Sequence, residues 1–395
     1  MKKIAILWAD PYNTNLGVSA LAYSSLALIE DALKLKDLSV TFVGCKFTRR
    51  DKVLLGDNEY EFETLEGLDY FRVKSLLKML FQYKKYKPHK LLGFDYIVDI
   101  GAGDSYADIY GLARFYRMYN SKRLFKVLRK KQLLLPQTIG PFKDKKIEKK
   151  AFDILKSFTY VFGRDQLSYN YANKFIRRDK LDESIDVAFY LPFKAYKFKE
   201  GKTHIGINVS GLLWNGGYTK NNQFNLTSNY QKLIRNTIEY FINEENCVVH
   251  LVGHVVPEYE HVENDFTVCE LLNKEYNSTI LAPRFKSPIE AKSYIAGLNF
   301  FTGARMHSTI AAFSAGVPVC PMAYSRKFNG LFVNTLQYDW LGDCVNDDTQ
   351  KVFNDIVDAF NKRKELKERI QESHIEIITP RLNNLKEKLK DFVLS

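Results

Sequence analysis

Short apolar runs alternate with longer stretches of helical period along most of this chain. KIAILWA (residues 3–9), SVTFVG (39–44), FDYIVDIGAGD (94–104), KKQLLLPQTIGPF (130–142) and YVFGRD (160–165) predict strands. SALAYSSLALIEDALK (19–34) predicts a helix with Leu21, Ser25, Leu28 and Ala32 on one face. Helices follow near 144–158 and over QLSYNYANKF (166–175), before DVAFYL (186–191). PFKAYKFKEGKT (192–203) has no apolar period and reads as a linker. A second series then begins. HIGINVSG (204–211), CVVHLVGHV (247–255), STILAP (278–283), LNFFTGA and VPVCPMAY predict strands. Between them NYQKLIRNTIEYFINEE (229–245), ENDFTVCELLNKEY (263–276), SPIEAKSYIAG (287–297) and the stretch after Arg305 predict helices. From Asp348 onward the chain reads as charged helix.

Two β/α series joined by a linker predict an α/β protein of two Rossmann-like, doubly wound domains facing a central cleft. The expected divisions are an N-terminal domain over 1–191, a linker over 192–203, a C-terminal domain over 204–347, and C-terminal helices over 348–395 able to pack back on the first domain. Ligands of such folds sit beyond the carboxyl ends of the strands, so chemistry is sought in the βα turns.

Composition narrows the class. The 395 residues are 46% hydrophobic and 26% charged, as in a soluble globular protein. No apolar run reaches the ~18–20 residues that cross a bilayer. The opening MKKIAILWADPYNTN breaks at Asp10 and Pro11 without a small-residue cleavage site, so it reads as the first strand of a cytoplasmic fold, not a signal peptide. Five scattered cysteines, none in a C-x-x-C pair, argue against a disulfide framework and a cysteine zinc site. A net charge of +12 favours acidic partners. The basic residues are spread widely, which disfavours nucleic acid. One cluster stands out, FRVKSLLKMLFQYKKYKPHKLLG. There Leu76, Leu77, Leu80 and Phe81 fall at helical spacing among Lys74, Lys78, Lys84, Lys85 and Lys87. Residues 71–87 thus read either as an ordinary surface helix or as one able to lie on an anionic membrane surface, on the inner face of the membrane.

Several turns carry candidate chemistry. In FFTGARMHSTIAAFSAGVPV, Arg305 lies just past a buried strand and His307 in the first turn of the next helix. A helix start offers unpaired N–H groups and a positive field, and a guanidinium beside it suits a phosphate or carboxylate. The alternative is that Arg305 pairs with a structural carboxylate and His307 caps the turn. IGAGDSYAD places Gly101 and Gly103 after a strand, with Asp104 as a base, a sugar ligand or a cap. DPYNTNLGVSA presents Asn15 and Gly17 in the first βα loop, and GRDQLS puts Arg164 at a strand end as a second anion clamp or an internal ion pair. Asn208 ends the 204–211 strand and His254 the 247–255 strand. Lys327, in MAYSRKF, adds a cation after the last strand. His250, His254 and His261 lack the H-E-x-x-H spacing of a helical metal site. Neither a P-loop, a G-x-S-x-G elbow nor a full dinucleotide-binding G-x-G-x-x-G occurs.

Taken in order, IGAGDSYAD, PQTIGPF, GRDQLS, DVAF and ARMHSTIAAFSAGVPVCPMAYSRKF resemble the polysaccharide pyruvyl transferase family, over nearly all of the chain from Asn15 to Lys327. The R-x-H followed by G-V-P-V and Y-x-x-K is the most specific part. The resemblance implies a GT-B-like fold and transfer of the pyruvyl unit of phosphoenolpyruvate onto two hydroxyls of a saccharide as a cyclic ketal, in cell-surface polysaccharide biosynthesis. It implies that Arg164 and Arg305 hold phosphoenolpyruvate, that Lys327 matches the family's lysine after the last strand, and that His307 protonates the methylene carbon; Ser308 is the further candidate for donor binding and Asp104 for catalysis. Asn15, Gly17, Gly103, Asn208 and His254 would meet the acceptor, expected on a polyprenyl diphosphate. No metal or cofactor is implied beyond the donor itself. Val18, where relatives often carry an acidic residue, and the Asp104–Ser105 pair, where many have an apolar one, both fall where the acceptor is expected.

Two further readings stay open at this level. One is a glycosyltransferase of the same fold using a nucleotide-sugar, for which Glu290 is the candidate ribose ligand. The other is a catalytically inactive saccharide- or lipid-binding relative.

Overall fold

Eight strands form the first sheet of the computed structural model, which describes residues 1–34, 37–67, 69–103 and 106–394. They are β1 (Lys2–Leu7), β2 (Leu38–Cys45), β3 (Arg49–Leu55), β4 (Asn58–Glu66), β5 (Tyr96–Asp99), β6 (Lys131–Gln137), β7 (Tyr160–Gly163) and β8 (Leu181–Glu183). Their order across the sheet is β3-β4-β2-β1-β5-β6-β7-β8. All neighbours pair in parallel except the antiparallel β3–β4 hairpin. The central strands are covered on both faces, so Ile4, Ile6, Ile97, Val98, Leu133 and Leu135 are fully buried.

A second sheet has six strands: β9 (Thr203–Asn208), β10 (Cys247–Val252), β11 (Ile280–Leu281), β12 (Phe300–Gly303), β13 (Val319–Ala323) and β14 (Gly342–Asp343). Its order is β11-β10-β9-β12-β13-β14, all parallel. The strand order reverses beside β9, between β10 and β12. Such a switch point opens a crevice at the carboxyl ends.

Chain contacts divide the protein into two compact units. Unit 1 comprises Met1–Pro11, Leu21–Pro192 and Thr379–Ser395; unit 2 comprises Tyr12–Ala20 and Phe193–Ile378. The division therefore differs from four consecutive blocks. The first βα loop belongs with the second sheet. Of the charged C-terminal helices, Thr349–Asn361 and Arg363–Ser373 belong to unit 2. The last helix, Thr379–Leu394, belongs to unit 1, where Phe392 packs edge-on to Tyr96 and Arg381 pairs with Glu183 at 3.0 Å.

Three segments stand apart from the sequence pattern. The β3–β4 hairpin has charged alternating positions and little apolar signal, and β8 is only a three-residue strand. DVAFYL becomes a 3₁₀ turn, Val187–Tyr190, capped by Asp186. The basic cluster is three helices, Val73–Phe81, Tyr83–Tyr86 and Pro88–Gly93. The first break falls at Gln82 and the second at Lys87, which is left-handed at φ 40° ahead of Pro88, as proline disfavours helical backbone in the residue before it.

The first long helix, Leu16–Leu33, has the length and apolar composition to cross a bilayer, contrary to the reading that no such run exists. Its window is 72% buried, which marks it as a core helix. The five cysteines are free thiols, Cys247 being the least buried.

Candidate active site

At the carboxyl edge of the second sheet, three turns converge on one carboxylate. Asp265 opens the helix Asp265–Glu275 and is fully buried. Its Oδ1 accepts from the Gly211 N–H at 2.8 Å, after β9. Its Oδ2 accepts from the N–H groups of His254 and Val255 at 3.1 and 2.9 Å, after β10. The Arg305 guanidinium, after β12, donates to both oxygens through Nε and to Oδ1 through NH2 at 2.8 Å. Asp265 thus joins three βα turns in a single buried knot. In sequence it lies within the stretch read as a helix over 263–276, and nothing in its spacing announces the role.

Arg305 is an internal cation here. Besides Asp265, its NH1 donates to Glu263 Oε2 at 3.0 Å and its NH2 to the Glu263 carbonyl at 3.0 Å. Burial alone would weaken its charge; Asp265 beside it, then Tyr324 and Glu263, outweigh that and hold the guanidinium above its ordinary pKa. Two carboxylates balance one cation, so the expectation of an open anion clamp is corrected: most Arg305 donors are engaged within the protein. Its place at the turn is fixed from the other side as well, where its N–H donates to Asn208 Oδ1 at 2.9 Å. The Asn208 amide nitrogen in turn donates to the Val252 carbonyl at 2.9 Å. Asn208 is fully buried and ties β9 to its neighbours, a strand-to-strand role in place of the expected contact with an acceptor.

His307 stands in the first turn of the helix Met306–Ser314 and is partly exposed. The segment Tyr12–Ala20 comes to it. Asn15 forms a bridge with Val255, Leu16 N–H donates to the His254 carbonyl at 3.0 Å, and Val256 N–H donates to the Thr14 carbonyl at 2.9 Å. This sets Gly17 against the imidazole: a β-carbon on Gly17 would lie 2.4 Å from His307 Nδ1. Glycine is required there because the ring occupies the space of a side chain. Asn15 supports the approach, its Oδ1 accepting from the Gly17 N–H at 3.1 Å. Turn chemistry therefore accounts for the Asn15 oxygen, and Gly17 serves His307.

The neighbours of His307 differ in kind. Ser308 is fully buried and its hydroxyl donates to the Arg305 carbonyl at 2.7 Å, closing the helix start. His254 is buried, and its imidazole is pushed down to about 3 by burial and then by His307 and Arg305, which keeps it neutral. Lys327 lies in the short helical turn Arg326–Phe328 after β13, at the same edge of the sheet. Glu290 is exposed and accepts from the Lys286 N–H at 2.9 Å, closing the start of its own helix.

The remaining candidates belong to unit 1. Arg164 is buried after β7, with NH1 donating to Asp186 Oδ2 at 3.0 Å and Asp165 at 3.9 Å from Nε. The internal pair, not the open clamp, describes it. Asp104 lies outside the described residues. Gly103 closes a 3₁₀ turn, Gly101–Gly103, with Gly101 at φ 62° and Ala102 at φ 57°. The turn is anchored by Asp99, which accepts from the Gly101 N–H at 3.0 Å and pairs with Lys122 at 2.7 Å, both fully buried. Asp99 and Lys122 are further polar residues that the sequence pattern did not single out.

Residues 35–326 match the profile of the polysaccharide pyruvyl transferases. The chain belongs to that family. Membership makes it a transferase of polysaccharide modification, and its fold is GT-B-like. Among solved structures, the UDP-GlcNAc 2-epimerase of Neisseria meningitidis, bound to UDP-GlcNAc, is similar at TM-score 0.59 and 10% identity, covering 100% of both chains. The sucrose-phosphate synthase of Thermosynechococcus elongatus is similar at 0.57 and 12%, covering 100% of this chain and 99% of that one. Anabaena HepE in complex with UDP-glucose is similar at 0.54 and 11%, covering 98% and 99%. At such identities the likeness carries the fold alone. No curated protein matches the sequence. In this polysaccharide pyruvyl transferase relative, the R-x-H places an arginine that braces the turn from within and, two residues on, a histidine packed against Gly17.

Proposed function

We propose that this protein transfers the pyruvyl group of phosphoenolpyruvate to two hydroxyls of a saccharide as a cyclic ketal. The observation that carries the reading is His307, held at a helix start on the carboxyl edge of the sheet with Gly17 cleared to admit it. Family membership supports the same chemistry. In the proposed reaction, His307 gives a proton to the methylene carbon of phosphoenolpyruvate. The positive, oxocarbenium-like centre that forms at the adjacent carbon is attacked by one sugar hydroxyl, whose proton returns to the His307 imidazole. Phosphate leaves with that proton, the carbon regains its oxocarbenium character, and the second hydroxyl closes the ring as its own proton recharges His307. A positioned imidazole contributes about 10²–10⁴-fold in such a step. The helix start and Lys327 supply positive potential for the departing phosphate. Arg305 and Asp265 act by fixing the turns. The acceptor is proposed to be a saccharide on a polyprenyl diphosphate.

The test is phosphate release from phosphoenolpyruvate, with and without saccharide. We expect release that depends on the saccharide and is abolished by His307→Ala in a folded protein. Turnover that survives the substitution would sink the assignment. Binding of a uridine or guanosine diphosphate, with no response to phosphoenolpyruvate, would point instead to a nucleotide-sugar donor.

A further inference from the structure

On the helix Val73–Phe81, Lys74, Leu77, Lys78 and Phe81 recur at the spacing of one helical face. All four are exposed, Phe81 to 85% and Leu77 to 46%. The helix is seated through a different side: Ser75 is buried, and Met79 packs on the core formed by Leu7, Trp8, Val43 and Leu65. The side chains of Leu76 and Leu80 lie outside the described residues. The outward stripe therefore alternates cation and large apolar group, where an ordinary surface helix turns its large apolar groups inward. It continues into neighbouring elements. Tyr83 is 50% exposed and Phe47 53%, and a groove of about 540 Å³ is lined by Lys46, Phe47, Thr48, Glu66, Lys84, Lys85 and Lys87.

Charge decides what the surface suits. Lys85 pairs with Glu66 at 3.0 Å and Lys87 with Glu63 at 2.8 Å. Lys46, Lys74, Lys78 and Lys84 have no carboxylate partner among the described residues. Four uncompensated ammonium groups around exposed aromatic and aliphatic side chains match an interface that is anionic outside and apolar beneath. Place matters too. β2 and β4 run parallel and end at Cys45 and Glu66, so the groove sits at the carboxyl edge of the first sheet.

We infer that the Val73–Phe81 stripe and the adjoining lysines dock this protein on an anionic phospholipid bilayer. Phe81 and Leu77 enter the headgroup layer, and the lysines lie along the phosphates. This rests on the proposed function only in giving the docking a purpose, namely access to an acceptor carried on lipid.

The experiment is co-sedimentation of the full chain with vesicles of mixed phosphatidylglycerol and phosphatidylcholine, and of phosphatidylcholine alone, at low and high salt. We expect binding to the anionic vesicles at low salt, weakened by high salt and weak on phosphatidylcholine alone. The variant Lys74→Glu/Lys78→Glu/Lys84→Glu loses affinity roughly 100-fold or more. Leu77→Ser/Phe81→Ser also weakens binding, without changing the salt dependence. Both variants alter exposed positions, and circular dichroism checks their fold. Glycerol phosphate fails to compete, which separates a bilayer from a lone phosphate as the ligand. Absence of wild-type binding to anionic vesicles overturns the inference, as do variants that bind like wild type. Self-association abolished by Phe81→Ser would assign the stripe to a second copy of the chain instead. Phosphate release with a water-soluble saccharide is measured in parallel and should be the same in both variants. If that activity is absent while vesicle binding holds, the proposed function fails and the docking stands.

Discussion

Gly17 and Asp265 show how single residues act on His307 and Arg305 through contacts within the protein. A methyl group at Gly17 would fall 2.4 Å from His307 Nδ1 and 2.7 Å from its Cγ, so the ring would have to move. Misplacement of a reacting group by about 1 Å costs on the order of 100-fold in rate. Gly17→Ala is therefore expected to cut phosphate release about 100-fold while costing only about 1–3 kcal/mol of stability. Kinetics and urea unfolding of the same preparation check both, and unchanged turnover would show that the ring has room to spare. Asp265 has the opposite profile. Its removal leaves a buried guanidinium with Glu263 as its one carboxylate and strands three backbone N–H groups. Breaking a buried pair of this kind costs about 3–5 kcal/mol, so Asp265→Ala should lower the unfolding midpoint sharply. Glu263→Ala should cost less, since Asp265 remains on Arg305 and Glu263 is nearer the surface. Arg305 and His307 were legible as candidates because charged groups at the mouth of an apolar strand need a reason. Which carboxylate Arg305 faces was not, because Asp265 lies 40 positions away and the pairing is made only by the fold.

Elements buried on both faces were read well. β1, β2, β5, β6, β9, β10, β12 and β13 are short apolar runs, and their parallel neighbours leave no polar face to blur the pattern. The β3–β4 hairpin is an edge element with charged side chains outward, so its period was masked by Arg49, Arg50, Asp51, Lys52, Glu59 and Glu61. The linker reading over 192–203 also understated what that stretch does. His204, at the start of β9, donates from Nε2 to the Lys199 carbonyl at 3.1 Å, since a carbonyl can only accept. Its Nδ1 must then accept from His250 Nε2 at 2.9 Å, and His250 Nδ1 from the Tyr294 hydroxyl at 2.7 Å. One chain of three hydrogen-bonded groups thus fastens the segment before β9 to β10 and to the helix Pro288–Ala296. Tyr294→Phe leaves a buried ring nitrogen without its donor, and a loss of about 1–3 kcal/mol is expected in chemical denaturation. No loss would mean that the hydroxyl is dispensable to the strap.

For the molecule as a whole, the two units should answer pH in opposite senses. In unit 1, burial pushes Glu30 up to about 7 from 4.5. The folded unit holds a proton that the unfolded chain has released between those values, so stability falls as pH rises through them. Burial also raises Glu183, in the same sense. In unit 2, burial, with the neighbouring His204, pushes His250 down to about 4 from 6.5, and burial alone brings Lys292 down to about 7 from 10.5. There the unfolded chain takes up protons that the folded unit refuses, so stability rises with pH across both windows. Hydrogen exchange resolved by peptide and corrected for intrinsic rate should show protection in unit 2 growing from about pH 5 to pH 7 while unit 1 loses some. Parallel trends in the two units would contradict the assignment.

The chain enters unit 2 with Tyr12–Ala20 before completing unit 1, and returns to unit 1 with Thr379–Ser395. Severing the polypeptide at Phe193 therefore yields no self-sufficient halves. The trailing fragment would lack the stretch that bridges Val255 and faces His307, and the leading fragment would lack the helix that packs on Tyr96. Dissection experiments on this protein need split designs that restore those pieces, by circular permutation or by adding the missing peptides in trans.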